Sequence, residues 1–521
     1  MEIHGAGLAA PAVPHDLLRG LRLGRGDEDA VVGVERTLTW RALDDAAGRL
    51  AAGYASLGLK RGDRVASLVP NRLELLVHHL ACLRSGLVLT PLNYRYTWRE
   101  VDHALEVSGA AALVAHAERA EDVAASRLAG ALPRGIVAFA GDLPGAVARL
   151  ETLMASDGPL PARPPGGDGD PAAIFFTSGS TGPAKGVTHS HASLGWMIAG
   201  AAAAFELTPD DAFLPASSMS HIGSFLWSLS ALSAGSRVVI ARSTDAHELE
   251  RLLRAHRPTV MAVLPAALAS LIRDHDVRPS DFASVRTVRC GSDKVATELL
   301  TEFAQLAGFP IDEGYGMTEV GLATLNPVRG PIKAGSIGRP LPGFEIALRD
   351  ESGAGVGVGE VGRIWMRTRS CMTGYWNRPR ETAEVLRDGW LDSGDLARAD
   401  ADGYLWFFGR RKQIIVHDGS NISPYEVESA LVEHPSVALA AVIGIHDDLH
   451  GENVRAYVTL RPDAPPATAA DLIAFCRERI GYKAPEEVVF LDEMPLNATG
   501  KLDRAGLKQL AEAGLHPRAP A

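Results

Sequence analysis

Short apolar runs alternate with amphipathic stretches along most of the 521 residues. Residues 38–57 space their apolar side chains at helical intervals, and 64–69 form an apolar strand ended by Pro70-Asn71. Residues 73–84 are helical again, and 87–91 predict a further strand. Such alternation predicts parallel strands layered with helices. A Pro/Gly-rich stretch, 158–171, predicts a linker or surface loop. Beyond it the apolar run 172–176 predicts a buried strand. The alternation then resumes, with strands at 236–241, 259–264 and 287–290 and helices at 246–255, 266–274 and 295–306.

From 335 to 408 the texture changes to glycine turns between short β runs, as at 359–366 and 403–408, which predicts a smaller β-rich subdomain. The last stretch opens on the charged turn Arg410-Arg411-Lys412. It carries strands at 437–445 and 454–460 and a helix starting near Asp471. No internal repeat is present. The expected fold is α/β. A large N-terminal domain, 1–409, holds two layered α/β subdomains and the β-rich one, and a mobile α+β C-terminal domain spans 410–521.

Composition narrows the classes. Two to four domains are expected at this length. A net charge of −11 and a pI near 5.9 argue against a nucleic-acid partner, which needs a basic surface. Cys82, Cys290, Cys371 and Cys476 form no CxxC pair, which fits a reducing cytosol and no structural zinc. Residues 1–14 lack the basic start of a signal peptide. The longest apolar stretch, near 197–205, is too short to span a bilayer. A cytoplasmic protein without a membrane span is expected.

The chemistry starts at Thr177-Ser178-Gly179-Ser180-Thr181-Gly182-Pro183-Ala184-Lys185-Gly186, directly after the predicted strand at 172–176. Glycines admit backbone N–H groups to a phosphate, hydroxyls add donors, and a lysine adds mobile charge. It is not a Walker A loop, since Gly-Lys-[Ser/Thr] is missing. Alone it also reads as a flexible Ser/Gly turn. Further clusters are Gly314-Tyr315-Gly316-Met317-Thr318-Glu319, read as a glycine-relieved turn, and Trp390-Leu391-Asp392-Ser393-Gly394-Asp395. After them come Gly409-Arg410-Arg411-Lys412, the polar loop Asp418-Gly419-Ser420-Asn421-Ile422-Ser423-Pro424, and Asn497-Ala498-Thr499-Gly500-Lys501-Leu502-Asp503-Arg504. Singly, each reads as core filling, turn former or solvated charge. Together, in this order from Thr177 to Arg504, they do not.

This set resembles the adenylate-forming superfamily, which includes acyl-CoA synthetases, adenylation domains of peptide synthetases and firefly-type luciferases, from about Leu38 to Arg504. The resemblance implies ATP, Mg²⁺ and CoA as cofactor and co-substrates. Thr177, Ser178, Thr181 and Lys185 would hold the β- and γ-phosphates, with Gly179, Ser180 and Gly182 completing the loop. Tyr315, between Gly314 and Gly316, would stack on adenine. Thr318 would touch phosphate and Glu319 would hold Mg²⁺. Asp395 would accept the ribose hydroxyls, braced by Arg410. Lys501 would bridge the acid and the α-phosphate. Lys412 would be the hinge that swings the small domain, and Gly419 would approach the acyl group for thiol attack.

Departures are Ala184 between Pro183 and Lys185, Gly291-Ser292-Asp293-Lys294 in place of small residues and proline, and Asp418-Gly419-Ser420-Asn421 for Gly-Gly-Glu-Asn. Asp293 and Lys294 are either a surface ion pair or a steering charge for a polar acid. His221 either meets the substrate carboxylate, as a catalytic residue, or packs in the core. Phe225, Trp227, Cys290, Met317 and Val320 are expected as mainly apolar walls for an aliphatic or aryl acid of moderate size. The implied enzyme is an AMP-forming acyl-CoA synthetase. The alternatives are a stand-alone enzyme loading an acyl or peptidyl carrier protein, and a catalytically silent nucleotide-binding module.

Overall fold

The computed structural model describes residues 1–156, 167–177, 184–291, 295, 297–418, 420–447, 449–461, 464–496 and 502–513. Among these, the strands form sheets of eight, nine, six and five members. The first three build a large N-terminal domain and the last a smaller C-terminal one, matching the α/β expectation. No helix among the described residues is long and apolar enough to cross a membrane. The apolar stretch near 197–205 lies mostly within the helix His191–Ala204.

The eight-stranded sheet places Arg64–Leu68 between Val88–Pro91 and Ala112–His116, all parallel and, apart from Arg64, all buried. Continuous apolar runs suit strands covered on both faces. Pro171–Thr177 joins this sheet beside Val88–Pro91, with Leu89 opposite Ala173. The strands before and after the Pro/Gly-rich stretch, Ala146–Arg149 and Pro171–Thr177, belong to this same sheet, the first at its edge and the second beyond four intervening strands. Asp170 forms an ion pair with Arg61.

The predicted helix at 38–57 begins later, at Trp40. Thr39 caps it, its hydroxyl accepting from the Ala42 N–H at 3.2 Å. Leu38 belongs to the strand Thr37–Thr39, paired with Asp29–Val32. The helical spacing carried across the cap because both elements turn the same side chains inward. The N-terminus is also structural: Glu2–His4 pairs with Phe344–Arg349 as the edge of the six-stranded sheet.

The C-terminal domain folds Val437–Asp447 against Gly451–Leu460 and packs the helices Pro424–Val432 and Ala469–Ile480 over the apolar sheet face. Thr468 and Asp471 form a reciprocal capping box for the second helix. The polar loop expected at 418–424 is partly a hairpin, with Ile415–His417 paired to Ser420–Ile422. Gly419 lies outside the described residues. So do Ser178, Gly179, Ser180, Thr181, Gly182, Asp293, Lys294 and Lys501.

Candidate active site

Each of the three N-terminal sheets sends one element to a common junction. From the eight-stranded sheet come Pro171–Thr177 and its antiparallel neighbour Lys185–Ser190, which places Thr177 directly opposite Lys185. The two residues that bound the hydroxyl-rich segment are thus cross-strand partners. Gly374–Tyr375 pairs on the far side of Lys185–Ser190. The Lys185 ammonium lies 4.8 Å from the centre of the Tyr375 ring.

From the nine-stranded sheet comes the hairpin Asp312–Met317 and Gly321–Leu325. The Gly314–Met317 segment, expected as a turn, is therefore strand, and the turn is Thr318-Glu319-Val320. Glycine is required at 314 by close approach: a Cβ there would meet the Thr324 carbonyl oxygen at 2.5 Å. Gly321 closes the hairpin at φ +75°, where a Cβ would also strike Met197.

The turn is fastened from two sides. His189 Nε2 donates to the Thr318 carbonyl at 2.8 Å, and the Met372 N–H donates to the Glu319 carbonyl at 2.7 Å. Burial draws His189 down to about 4, so it stays neutral. The Glu319 side chain is only 6% exposed, and the Tyr375 hydroxyl donates to its Oε1 at 2.9 Å. Desolvation raises the Glu319 carboxyl above its ordinary range.

The six-stranded sheet contributes Trp390–Ala399 and Leu405–Arg410, in which Asp395 stands opposite Arg410. The Tyr315 hydroxyl donates to Asp395 Oδ2 at 2.7 Å, and Arg410 Nε lies 3.3 Å from Oδ1. A hydrogen bond to a charged group contributes about 1.5–3 kcal/mol, enough to fix the Tyr315 ring against its rotamer freedom. That ring stacks on Phe407 at 6.1 Å between centres. Asp395 is 3% exposed, yet a carboxylate has about four acceptor sites, so its oxygens keep capacity for further donors. Lys185, Thr318, Glu319, Tyr315, Asp395 and Arg410, far apart in sequence, are thus brought to one place. Tyr375 was missed: it sits in a two-residue strand with no periodicity to mark it.

His221 caps the helix Ile222–Ala234 and is half-buried. The Asn93 amide donates to its Nε2 at 3.3 Å. The loop before it is held by buried Asn71, which donates to the Ser217 and Ala241 carbonyls and accepts from the Met219 N–H at 2.7 Å. The expected walls need correction. Phe225 is fully packed against Phe175 and His79, and Val320 is fully buried in the same core. Cys290 faces the opposite side of its sheet, in the core with Leu249 and Phe303. Trp227 remains beside the hairpin, with the guanidinium of Arg289 5.4 Å from its ring centre. Sequence reading passed over Arg289.

Lys412 is exposed in the short turn Arg411–Gln413, between Leu405–Arg410 and the C-terminal domain's first strand. Beyond it, Leu496 pairs with Leu502, and the Asp503 N–H donates to the Pro495 carbonyl at 2.9 Å. Arg504 Nη2 then reaches both oxygens of Glu428, at 2.6 and 2.7 Å. Glu428 also accepts from the Val442 N–H at 2.8 Å.

Two matches decide the kinship. The AMP-binding enzyme family matches residues 23–376, and the AMP-binding enzyme C-terminal domain matches 426–501. The chain belongs to the AMP-binding enzyme family. Among curated members it is 36% identical over 469 residues to a feruloyl-CoA synthase of Amycolatopsis sp, covering 89% of this chain and 92% of that one. It is 32% identical over 490 residues to the fatty acid–[acyl-carrier-protein] ligase ScoC of Streptomyces coeruleorubidus, covering 92% of each. The ATP-bound crystal structure of MatB from Rhodopseudomonas palustris superposes with a TM-score of 0.88 at 28% identity, over 96% of this chain and all of that one.

The Glu428–Arg504 pair fixes the first residue of the helix Arg504–Glu512, which follows Lys501 in the chain. Glu428→Ala strands the Arg504 guanidinium and the Val442 N–H, at a cost of about 1–3 kcal/mol. The expected result is roughly tenfold slower adenylate formation, with thioester formation from supplied acyl-adenylate unchanged. Single-turnover assays of the two steps check it; equal loss in both means the pair only supports the fold.

Proposed function

We propose that the junction of the three sheets is the adenylation centre of this acid–CoA ligase, with the residues around it in the roles that follow. The reaction is ATP-dependent and runs through an acyl-adenylate. A carboxylate oxygen attacks the α-phosphorus, the bond to the β-phosphate oxygen breaks, and pyrophosphate leaves. The sulfur of CoA, its proton lost, then attacks the acyl carbon and AMP departs with the electron pair of the C–O bond. The first step is mainly positioning and charge stabilisation.

Lys185 and Thr177, paired at the ends of the hydroxyl-rich segment, close on the β- and γ-phosphates with Ser178 and Thr181. Asp395, oriented by Tyr315 and Arg410, accepts the ribose hydroxyls. Thr318 meets phosphate. The donor set suits Mg²⁺: one buried carboxylate, Glu319, stands beside a phosphate-binding lysine, and Mg²⁺ takes one or two carboxylates plus phosphate oxygens. Glu319 would hold that ion, which neutralises phosphate charge when bound. Tyr375 keeps the carboxylate aimed by donating to one oxygen, leaving the other for the metal. His221, held by Asn93, lies at the head of the helix that borders the acid.

Lys501 supplies the ammonium at the point of attack. Rotation of the small domain, 410–521, about Lys412 then withdraws it and admits the thiol. The observation that carries this reading is the convergence of Lys185–Tyr375–Glu319 and Tyr315–Asp395–Arg410 on one hairpin. A carrier protein as acceptor is the second reading, favoured by the likeness to the acyl-carrier-protein ligase; mass analysis of thioesters with free CoA or carrier proteins separates the two. Isotopic exchange between pyrophosphate and ATP tests the first half-reaction. Exchange is expected only with a carboxylic acid present; exchange that no acid stimulates contradicts the proposal.

A further inference from the structure

Strand alternation decides which side chain of Thr287–Cys290 looks toward the acid. Val288 and Cys290 enter the core on one face, so Arg289 stands on the other. There Trp227 lies across its guanidinium at 5.4 Å. Its Nη1 sits so close to the backbone of residue 314 that a Cβ there would meet it at 2.3 Å. Arg289 is thus wedged between the helix headed by His221 and the strand that carries Tyr315, the two elements that border the acid in the proposed reaction.

This cation is poorly matched by the protein itself. It is 6% exposed. Among the described residues it forms no ion pair, and Nη1 has no hydrogen-bond partner. The carboxyls of its cross-strand neighbour Asp312 and of Glu313 favour its charge without pairing with it directly. Asp312 Oδ1 accepts instead from the backbone and amide of Asn326 at 3.2 and 3.1 Å, and burial pushes that carboxyl up to about 7. A buried guanidinium with an unused N–H is costly unless an acceptor arrives from elsewhere. A guanidinium offers its donors only in its own plane, in a fork that matches an oxyanion, and the indole 5.4 Å away supplies none of the acceptors.

We propose that Arg289 binds a second oxyanion of the acid, so that the substrate carries a carboxylate or an acidic phenol at the end remote from the reacting carboxylate. This rests on the adenylation reading and names the substrate class of that site. It sets one buried cation among the mainly apolar walls expected from sequence. An acid lacking the distal oxygen leaves the guanidinium unpaired, and sites built around such a contact discriminate strongly against analogues without it.

The test measures kcat/KM by pyrophosphate release on the full chain with matched acids: cinnamate against 4-hydroxycinnamate, and hexanoate against hexanedioate. The wild type should favour the oxygenated member of at least one pair by about 100-fold. Arg289→Met should bring that ratio close to one, and Arg289→Lys should restore part of it. A wild type indifferent to the distal oxygen in both pairs overturns the inference even if no variant folds, and so does an Arg289→Met ratio equal to that of the wild type. Failure of every acid to release pyrophosphate is a different result, and overturns the adenylation reading itself.

Discussion

Lys501→Ala is expected to suppress acyl-adenylate formation by about 10²–10³-fold, the range found when a preorganised charge is removed from a transition state. Thioester formation from supplied acyl-adenylate should stay within a few-fold of the wild type. The split follows from where negative charge accumulates. In the first step the attacking carboxylate and the α-phosphate approach each other, and an ammonium between them offsets their repulsion. In the second the anhydride already exists and the electrophile is carbon. Leu496 and Leu502, which flank that lysine in the chain, pair with each other, and Arg504 is held by Glu428. Alanine at 501 removes a charge and leaves both of these flanking contacts their own partners. Stopped single-turnover measurements with acid plus ATP, then with synthetic acyl-adenylate plus CoA, check it; parallel losses in both steps contradict the assignment.

Glu319→Gln should lower adenylation by about 10²-fold while making the unliganded protein more resistant to heat at neutral pH. The carboxyl is buried and its pKa is raised in the folded state by desolvation. A group raised in this way contributes stability that is fully present below its unfolded pKa. That contribution is lost as pH rises through the folded value, because the buried form must then ionise. Glutamine keeps an acceptor for the Tyr375 hydroxyl and carries no charge to desolvate. Melting curves without nucleotide should separate progressively as pH rises from the ordinary carboxylate range through the raised folded value, the variant lying higher. Identical pH profiles of Tm would mean that Glu319 is not the strained carboxylate described, and a variant with full activity would remove it from the metal site.

Much of this was legible in the chain because the alternation of apolar runs with amphipathic segments follows directly from burying strands between helix layers. Tyr315, Asp395 and Arg410 stood out only through the order of their clusters along the chain, since singly each also reads as core filling, turn former or solvated charge. That Tyr315 and Asp395 meet in a hydrogen bond was not legible, because 80 residues separate them in the chain and they stand in different sheets. The shortest strands defeated the reading. Gly374–Tyr375 carries no period. Thr287–Cys290 is too short to show which alternate side chain faces which layer, and a one-residue slip exchanges Cys290 for Arg289. The Gly314–Met317 strand looked like a turn because its glycines serve close packing, Gly314 against Thr324 and Gly316 against Gly321, rather than chain reversal. The N-terminal strand Glu2–His4 was invisible for another reason: its partner, Phe344–Arg349, lies in the other half of the chain.

The central claim is that a nucleotide and an acid meet at the three-sheet junction, under an ammonium brought by the small domain. A crystal structure with a non-hydrolysable acyl-adenylate analogue tests it most directly. The account predicts the ribose hydroxyls within hydrogen-bonding distance of Asp395 and the Lys501 ammonium at the link between acyl group and phosphate. An analogue bound away from Asp395, or a Lys501 that contacts no part of that link, would contradict it.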